Sequence, residues 1–246
     1  MNEPHDLPDA DLATWATTVQ AAVTAIRNAG ATTQTILLPG TDFTHATSFV
    51  ENGSAGNLSR VTNPDGSTAR LVFEVHQYLD ADGSGQALEC VSDHASDGFV
   101  PLARFLAAGG RRAFVGEIGG GNTSSCITNL CSSLAFINGN PDVFMGYTGW
   151  SAGGFSATDY NLTMTPMGSP GNFVDQQTVA QCVVGTRNGL GNSTASLNST
   201  GLRGSSAASG GNSTDVVAIA GSARHSAGEM VGIVVVGLLT VFAMWL

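Results

Sequence analysis

Four short apolar runs punctuate the first 150 positions: QTILL (34–38), LVFEVHQY (71–78), RAFVGE (112–117) and VFMGYTGW (143–150). Each is nearly continuous rather than alternating, as in strands buried on both faces of a parallel sheet. Between them apolar residues recur at helical spacing. Over 10–29, Leu12, Trp15, Val19, Val23 and Ile26 fall three and four apart, so one helix face is apolar. Arg27 near the end and Gly30 just beyond predict its stop. Further helices are expected over 98–108 and 124–138, with a short last one over 174–182.

The strands begin at 34, 71, 112 and 143, in steps of 37, 41 and 31 residues. A strand followed by a helix at this period makes an α/β fold with a parallel sheet and right-handed crossovers. A doubly wound sheet and a (β/α)8 barrel both fit. His76, Tyr78, Glu117 and Trp150 all fall at or just past the C-terminal ends of their strands, the face that carries chemistry in both architectures. GEIGGG (116–121) is neither GxGxxG nor a P-loop, so nothing marks a nucleotide phosphate site. A full barrel needs about 250 residues and eight strands. Four strands here amount to half of one.

After about residue 184 the pattern stops. Residues 185–228 are rich in Gly, Ser, Asn, Thr and Ala and read as a disordered linker. Residues 229–246 include MVGIVVVGLLTVFAMWL, an uninterrupted apolar tail. Its 17 residues from Met230 sit at the short limit for a spanning helix. Small residues upstream also give it the form of a glycolipid-anchor (GPI) signal. A single transmembrane segment is the alternative, so membrane attachment through the tail is expected.

Composition narrows the partners. Charged residues are 11% of the chain, the net charge is −10 and no Lys occurs. That excludes the basic patch a nucleic-acid binder needs. Cys90, Cys126, Cys131 and Cys182 have no metal-ligand spacing, so two disulfides are expected in an oxidising compartment. Seven N-x-[ST] sequons (Asn52, Asn57, Asn122, Asn161, Asn192, Asn198 and Asn212) agree with an extracellular or cell-surface location. Asp80, Asp82, Ser84 and Gly85 imitate the start of an EF-hand loop, but its twelfth position holds Val91 where a bidentate Glu is required.

The ordered set NEPHD (2–6), VTAIRNAGA (23–31), LPG (38–40), VTNPDGSTARLVFEVHQYLD (61–80), GEIGGGNTSSC (116–126) and GYTGW (146–150) resembles glycoside hydrolase family 5, and within it the fungal endoglucanases. The resemblance covers residues 2 to about 182. It implies that residues 1–184 form a partial (β/α)8 TIM barrel, roughly strands 5–8 with their helices. It implies a retaining hydrolase that cleaves internal β-1,4-glucosidic bonds of cellulose or β-glucan without metal or organic cofactor. Glu3 is then the acid/base at the end of the fourth strand, and Glu117 the nucleophile at the end of the seventh. Asn2 would bind the sugar 2-hydroxyl, Tyr78 orient Glu117, His76 contact the acid/base or the substrate, and Trp150 stack on the sugar. The implied disulfides are Cys90–Cys126 and Cys131–Cys182.

The family's first three strands and a secretion signal would precede Met1. The family usually places Asn and Trp after LPG, where Thr41 and Phe43 stand, and flanks the nucleophile with Thr, where Gly116 and Ile118 stand. These departures keep open a family 5 enzyme acting on mannan or another β-glycan. A non-catalytic, anchored wall or surface protein derived from such an enzyme is the reading from another class.

Overall fold

The computed structural model describes residues 1–7, 12–153 and 160–185, together with the backbone of two short strands, Ala218–Ile219 and Ile233–Val235. Its centre is a parallel sheet of β1 (Thr35–Pro39), β2 (Leu71–Tyr78), β3 (Ala113–Gly119) and β4 (Phe144–Gly149) in sequential order. The predicted strands are therefore found, each displaced by two residues or fewer. Ala218–Ile219 pairs with β4 and Ile233–Val235 with β1, both in parallel, at the two sheet edges. The linker and tail expected over 185–228 and 229–246 otherwise lie outside the described residues. Among the described residues no helix is long and apolar enough to cross a membrane.

Helix α1 (Leu12–Asn28) buries Ala16, Val19, Val23 and Arg27, one turn apart along a stripe. A buried arginine is costly unless its donors are satisfied. Arg27 donates from Nε to Asn63 Oδ1 at 2.8 Å and from Nη1 to the Gln34 carbonyl at 2.9 Å. It thereby ties the end of α1 to the approach to β1. Gly30 follows at φ +94°, the left-handed conformation that ends helices and that glycine adopts without strain.

Helix α2 (Ser54–Leu58) is a single turn that hydropathy alone did not predict. Helix α3 (Val100–Gly109) follows a wide turn over Ala95–Phe99, so the helix expected from 98 starts two residues later. Helix α4 (Ser124–Gly139) is capped by Thr123, whose side chain accepts from the Cys126 backbone N–H. The last predicted helix is found as a wide π-helix over Val179–Val184, starting five residues later than expected. Its expected start instead contributes to an antiparallel hairpin of Met167–Ser169 with Asn172–Val174, turned by Gly171 at φ +91°.

Alternate residues of the strands face two different environments. Ile36, Leu38, Leu71, Phe73, Val75, Ala113 and Val115 face the helices and form the main core with Val19, Val23, Leu102, Leu106 and Leu134. Leu37, Val72, Phe114 and Met145 meet on the other face as a small separate cluster. This second face carries the ionisable residues above its apolar floor.

Two disulfides close the fold with the implied pairing, Cys90–Cys126 and Cys131–Cys182. Both engage α4. Cys126 lies in its first turn. The first bond ties the loop after β2 to α4, and the second holds the last turn.

Candidate active site

The even-numbered residues of β2 point to one side, because strand side chains alternate. Along that side Val72 is followed by Glu74, His76 and Tyr78, an apolar foot beneath three polar groups. All are buried; His76 is 1% exposed. Its ring nitrogens engage two carboxylates. Nδ1 donates to Glu3 Oε1 at 2.8 Å and Nε2 donates to Glu74 Oε1 in a short contact.

Glu117 reaches the same spot through an irregularity in β3. Val75 pairs with Val115, but His76 pairs with Glu117, so Gly116 is an extra residue without a partner on β2. Such a bulge re-aims the next side chain. Glu117 consequently lies beside His76, with Oε2 at 3.6 Å from Nδ1. The Tyr78 hydroxyl donates to the same oxygen at 2.6 Å.

Glu3 arrives from the N-terminal segment. The resemblance put it at a strand end, yet residues 1–7 form no strand. The segment is held in other ways. Phe43 donates its backbone N–H to the Pro4 carbonyl at 3.0 Å, and its ring stacks on His5 with centroids 4.4 Å apart. Glu3 itself has φ +42°, a strained value for a residue with a side chain.

The outcome is a cluster of Glu3, His76 and Glu117 in which one potential ligand atom from each lies within 4.8 Å of the others. That geometry could also serve a cation. Both ring nitrogens of His76 are engaged by carboxylates, and Glu117 accepts from Tyr78. The loop after β2 is likewise self-satisfied. Asp80 accepts the backbone N–H groups of Gly85, Gln86 and Ala87, each at 3.0 Å, where an EF-hand would place its ion.

Electrostatics follows from the crowding. Burial disfavours the His76 cation, but hydrogen bonds to Glu3 and Glu74 and the charges of Glu74 and Glu117 outweigh it, raising His76 to about 10. It is an imidazolium at neutral pH. Burial pushes Glu117 above the ordinary carboxylate value, and His76 and the Tyr78 hydroxyl oppose that rise. Tyr78 is held well above its usual value by burial and by Glu117, so it remains a donor.

Trp150 follows β4 and is 36% exposed, with its backbone N–H on the Ile118 carbonyl at 2.9 Å. Asn2 is exposed next to Glu3. Of the departures from the family pattern, Thr41 is buried against Ser54, whereas Phe43 stays exposed at the cluster's edge. Ile118 turns into the helix-facing core. Two site residues escaped the sequence reading. Glu74 reads there as an isolated acid in an apolar strand. Tyr160 shares a hydrogen bond with Tyr78 and senses the Glu117 charge, but no pattern along the chain marks it.

Known proteins are similar to this chain in sequence and fold. The model for "Cellulase (glycosyl hydrolase family 5)" matches residues 1–156. Endoglucanase EG-II of Hypocrea jecorina is 51% identical over 183 residues, which are 74% of this chain and 43% of the relative. The crystal structure of Cel5A (EG2) from Hypocrea jecorina superimposes with a TM-score of 0.71 at 50% identity, covering 74% of this chain and 54% of that one. The structure of XacCel5A in complex with cellopentaose gives 0.64 at 32% identity, covering 76% and 57%. The chain thus spans less than half the length of EG-II, and over that span it belongs to the cellulase family, glycosyl hydrolase family 5.

Proposed function

We propose that residues 1–184 carry the catalytic carboxylate pair of a retaining endo-β-1,4-glucanase acting on cellulose or β-glucan. The observation that carries this reading is the approach of Glu3 and Glu117, with an oxygen of each and a His76 nitrogen within 4.8 Å of one another. Retaining glycosidases hold their carboxyl groups about 5–5.5 Å apart, leaving no room for water between nucleophile and sugar. The relatives' names and the cellopentaose bound to XacCel5A support a β-glucan chain as substrate.

In the first step Glu3 donates its proton to the glycosidic oxygen while Glu117 attacks the anomeric carbon. The C–O bond to the leaving sugar breaks and an ester to Glu117 forms. In the second step Glu3 takes a proton from water, the water oxygen attacks the same carbon, and Glu117 leaves as carboxylate. Tyr78 aims the Glu117 oxygen and His76 supplies positive charge beside it. Asn2 binds the sugar 2-hydroxyl, and Trp150 offers its ring face to the sugar. No metal or organic cofactor takes part in these steps.

The four central strands then correspond to strands 5–8 of a (β/α)8 barrel, with 185–228 as a linker and 229–246 as a membrane-attaching tail. The disulfides and the sequons support passage through the secretory route to the cell surface. A second reading is a non-catalytic surface protein derived from such an enzyme.

Release of reducing sugar from carboxymethyl-cellulose by the chain, set against Glu117→Gln, tests the proposal. Activity abolished by the substitution supports it. No release from folded protein selects the second reading, and release from mannan alone changes the substrate.

A further inference from the structure

Glu74 is a third carboxylate at this site, and neither catalytic step employs it. It is 5% exposed on the sheet face above Val72, and its Oε1 accepts from His76 Nε2. The side chain fits there because of the residue beside it. A Cβ built on Gly116 would stand 2.2 Å from Glu74 Oε1, 3.1 Å from its Cδ and 3.2 Å from its Cγ. Gly116 is not needed for a left-handed backbone, since its φ lies outside that range. What position 116 requires is empty space. The same residue is the bulge that brings Glu117 level with His76.

We propose that Glu74 is a positioning residue, and that Glu74 and Gly116 form a size-complementary couple that clamps His76 between Glu74 and Glu3. The clamp fixes the ring plane. It also delivers one N–H to Glu3 and sets the positive charge beside Glu117. Without Glu74 the ring would be held at a single nitrogen and free to turn about that contact. A side chain at position 116 would displace the Glu74 carboxylate with the same result. The charged and titratable groups facing His76 are Glu3 from the N-terminal segment, His45 from the turn after β1, Glu74 from β2 and Glu117 from β3, with Tyr78 of β2 bonded to Glu117.

The role in catalysis rests on the glycosidase reading, but the couple does not. The test therefore uses two readouts on the full chain: ring ¹⁵N titration of His76 by NMR, and the split of kcat and KM on a soluble β-glucan. Four proteins are compared: the unaltered chain, Glu74→Gln, Gly116→Ala, and Glu74→Asp combined with Gly116→Ala. Glu74→Gln is nearly isosteric and guards against a folding defect in the Gly116 variant.

His76 should titrate at about 10 in the unaltered chain. In both single variants it should fall by roughly one unit or more, as expected on losing an opposite charge in contact. The double variant, whose carboxylate is one methylene shorter, should recover most of the fall. The single variants should lose roughly ten- to a hundredfold in kcat, the scale of a slightly misplaced catalytic group, with KM little changed. An unmoved titration in Glu74→Gln or Gly116→Ala, or no recovery in the double variant, overturns the couple. Titrations that follow the expectation while kcat stays constant overturn the positioning role. Titrations that follow it in a chain with no activity at all leave the couple standing and sink the glycosidase reading instead.

Discussion

The hydrogen bond from Tyr78 to Glu117 makes a quantitative test of the site. Tyr78→Phe removes one hydroxyl and keeps the ring, which Gly85 overlies so closely that a Cβ there would be 2.7 Å from it. The lost bond is 2.6 Å long and stabilises the ionised form of a buried carboxylate. Hydrogen bonds to charged groups contribute about 1.5–3 kcal/mol. At about 1.36 kcal/mol per pH unit, Glu117 should rise by roughly one to two units. Burial already pushes Glu117 upward and Tyr78 is one of two groups opposing it, so the change adds to the existing direction. A nucleophile must be ionised to attack. The acidic limb of kcat/KM should therefore move to higher pH by roughly one to two units, costing about ten- to a hundredfold on that limb and much less on the plateau. The assay is hydrolysis of a chromogenic β-cellobioside across the pH range. An acidic limb that stays in place, in a variant with unchanged near-UV circular dichroism, would refute the assignment of Glu117 and Tyr78.

Other expectations follow from the same geometry. His76 is raised to about 10 from 6.5, so its contribution to stability is fully present below pH 6.5 and is lost as pH rises through about 10. Urea unfolding should show a loss on the order of a few kcal/mol across that window, and a flat profile would mean that the imidazolium is not held. The Cys131–Cys182 bond spans 51 residues, for which loop entropy gives about 4 kcal/mol. Replacing both cysteines by Ala should lower the unfolding free energy by an amount of that order, and a change below about 1 kcal/mol would contradict the constraint. Phe43 pins the segment that carries Glu3, through its stack on His5 and its bond to Pro4. Phe43→Ala should reduce kcat/KM by roughly two- to tenfold, the value of an aromatic contact, and Phe43→Trp should retain it.

What the sequence revealed follows physical range. The four strands are legible because a strand buried on both faces must be apolar throughout, and length then separates it from a helix. Helix α1 is legible from its stripe and from Arg27 and Gly30 at its end. His76, Tyr78, Glu117 and Trp150 were found because polar residues at the C-terminal ends of apolar runs are conspicuous. The misses depend on contacts between distant segments. The bulge at Gly116 shows only in register, because one strand is counted against its neighbour. Glu74 becomes meaningful only when His76 lies above it and an absent side chain beside it. The reversed backbone of Asp42, Phe43 and Thr44, all near φ +55°, carries no glycine to announce it. It is held by the bond from Phe43 to Pro4 and by Thr44, whose hydroxyl donates to the Glu74 carbonyl at 2.6 Å. The hairpin at 167–174 has no counterpart among the expected elements, apart from Val174 at the start of the last helix, because its apolar residues are few and exposed.

The central claim is that Glu117 attacks the sugar. It is tested most directly by incubating the chain with a 2-fluoro β-cellobioside carrying an activated phenolate leaving group, which slows hydrolysis of the glycosyl-enzyme ester. Intact mass spectrometry followed by peptide mapping should find one added fluorocellobiosyl group, located on Glu117 and absent from Glu117→Gln. A label on another carboxylate, or turnover of an ordinary β-glucan without any trapped ester, would contradict the account.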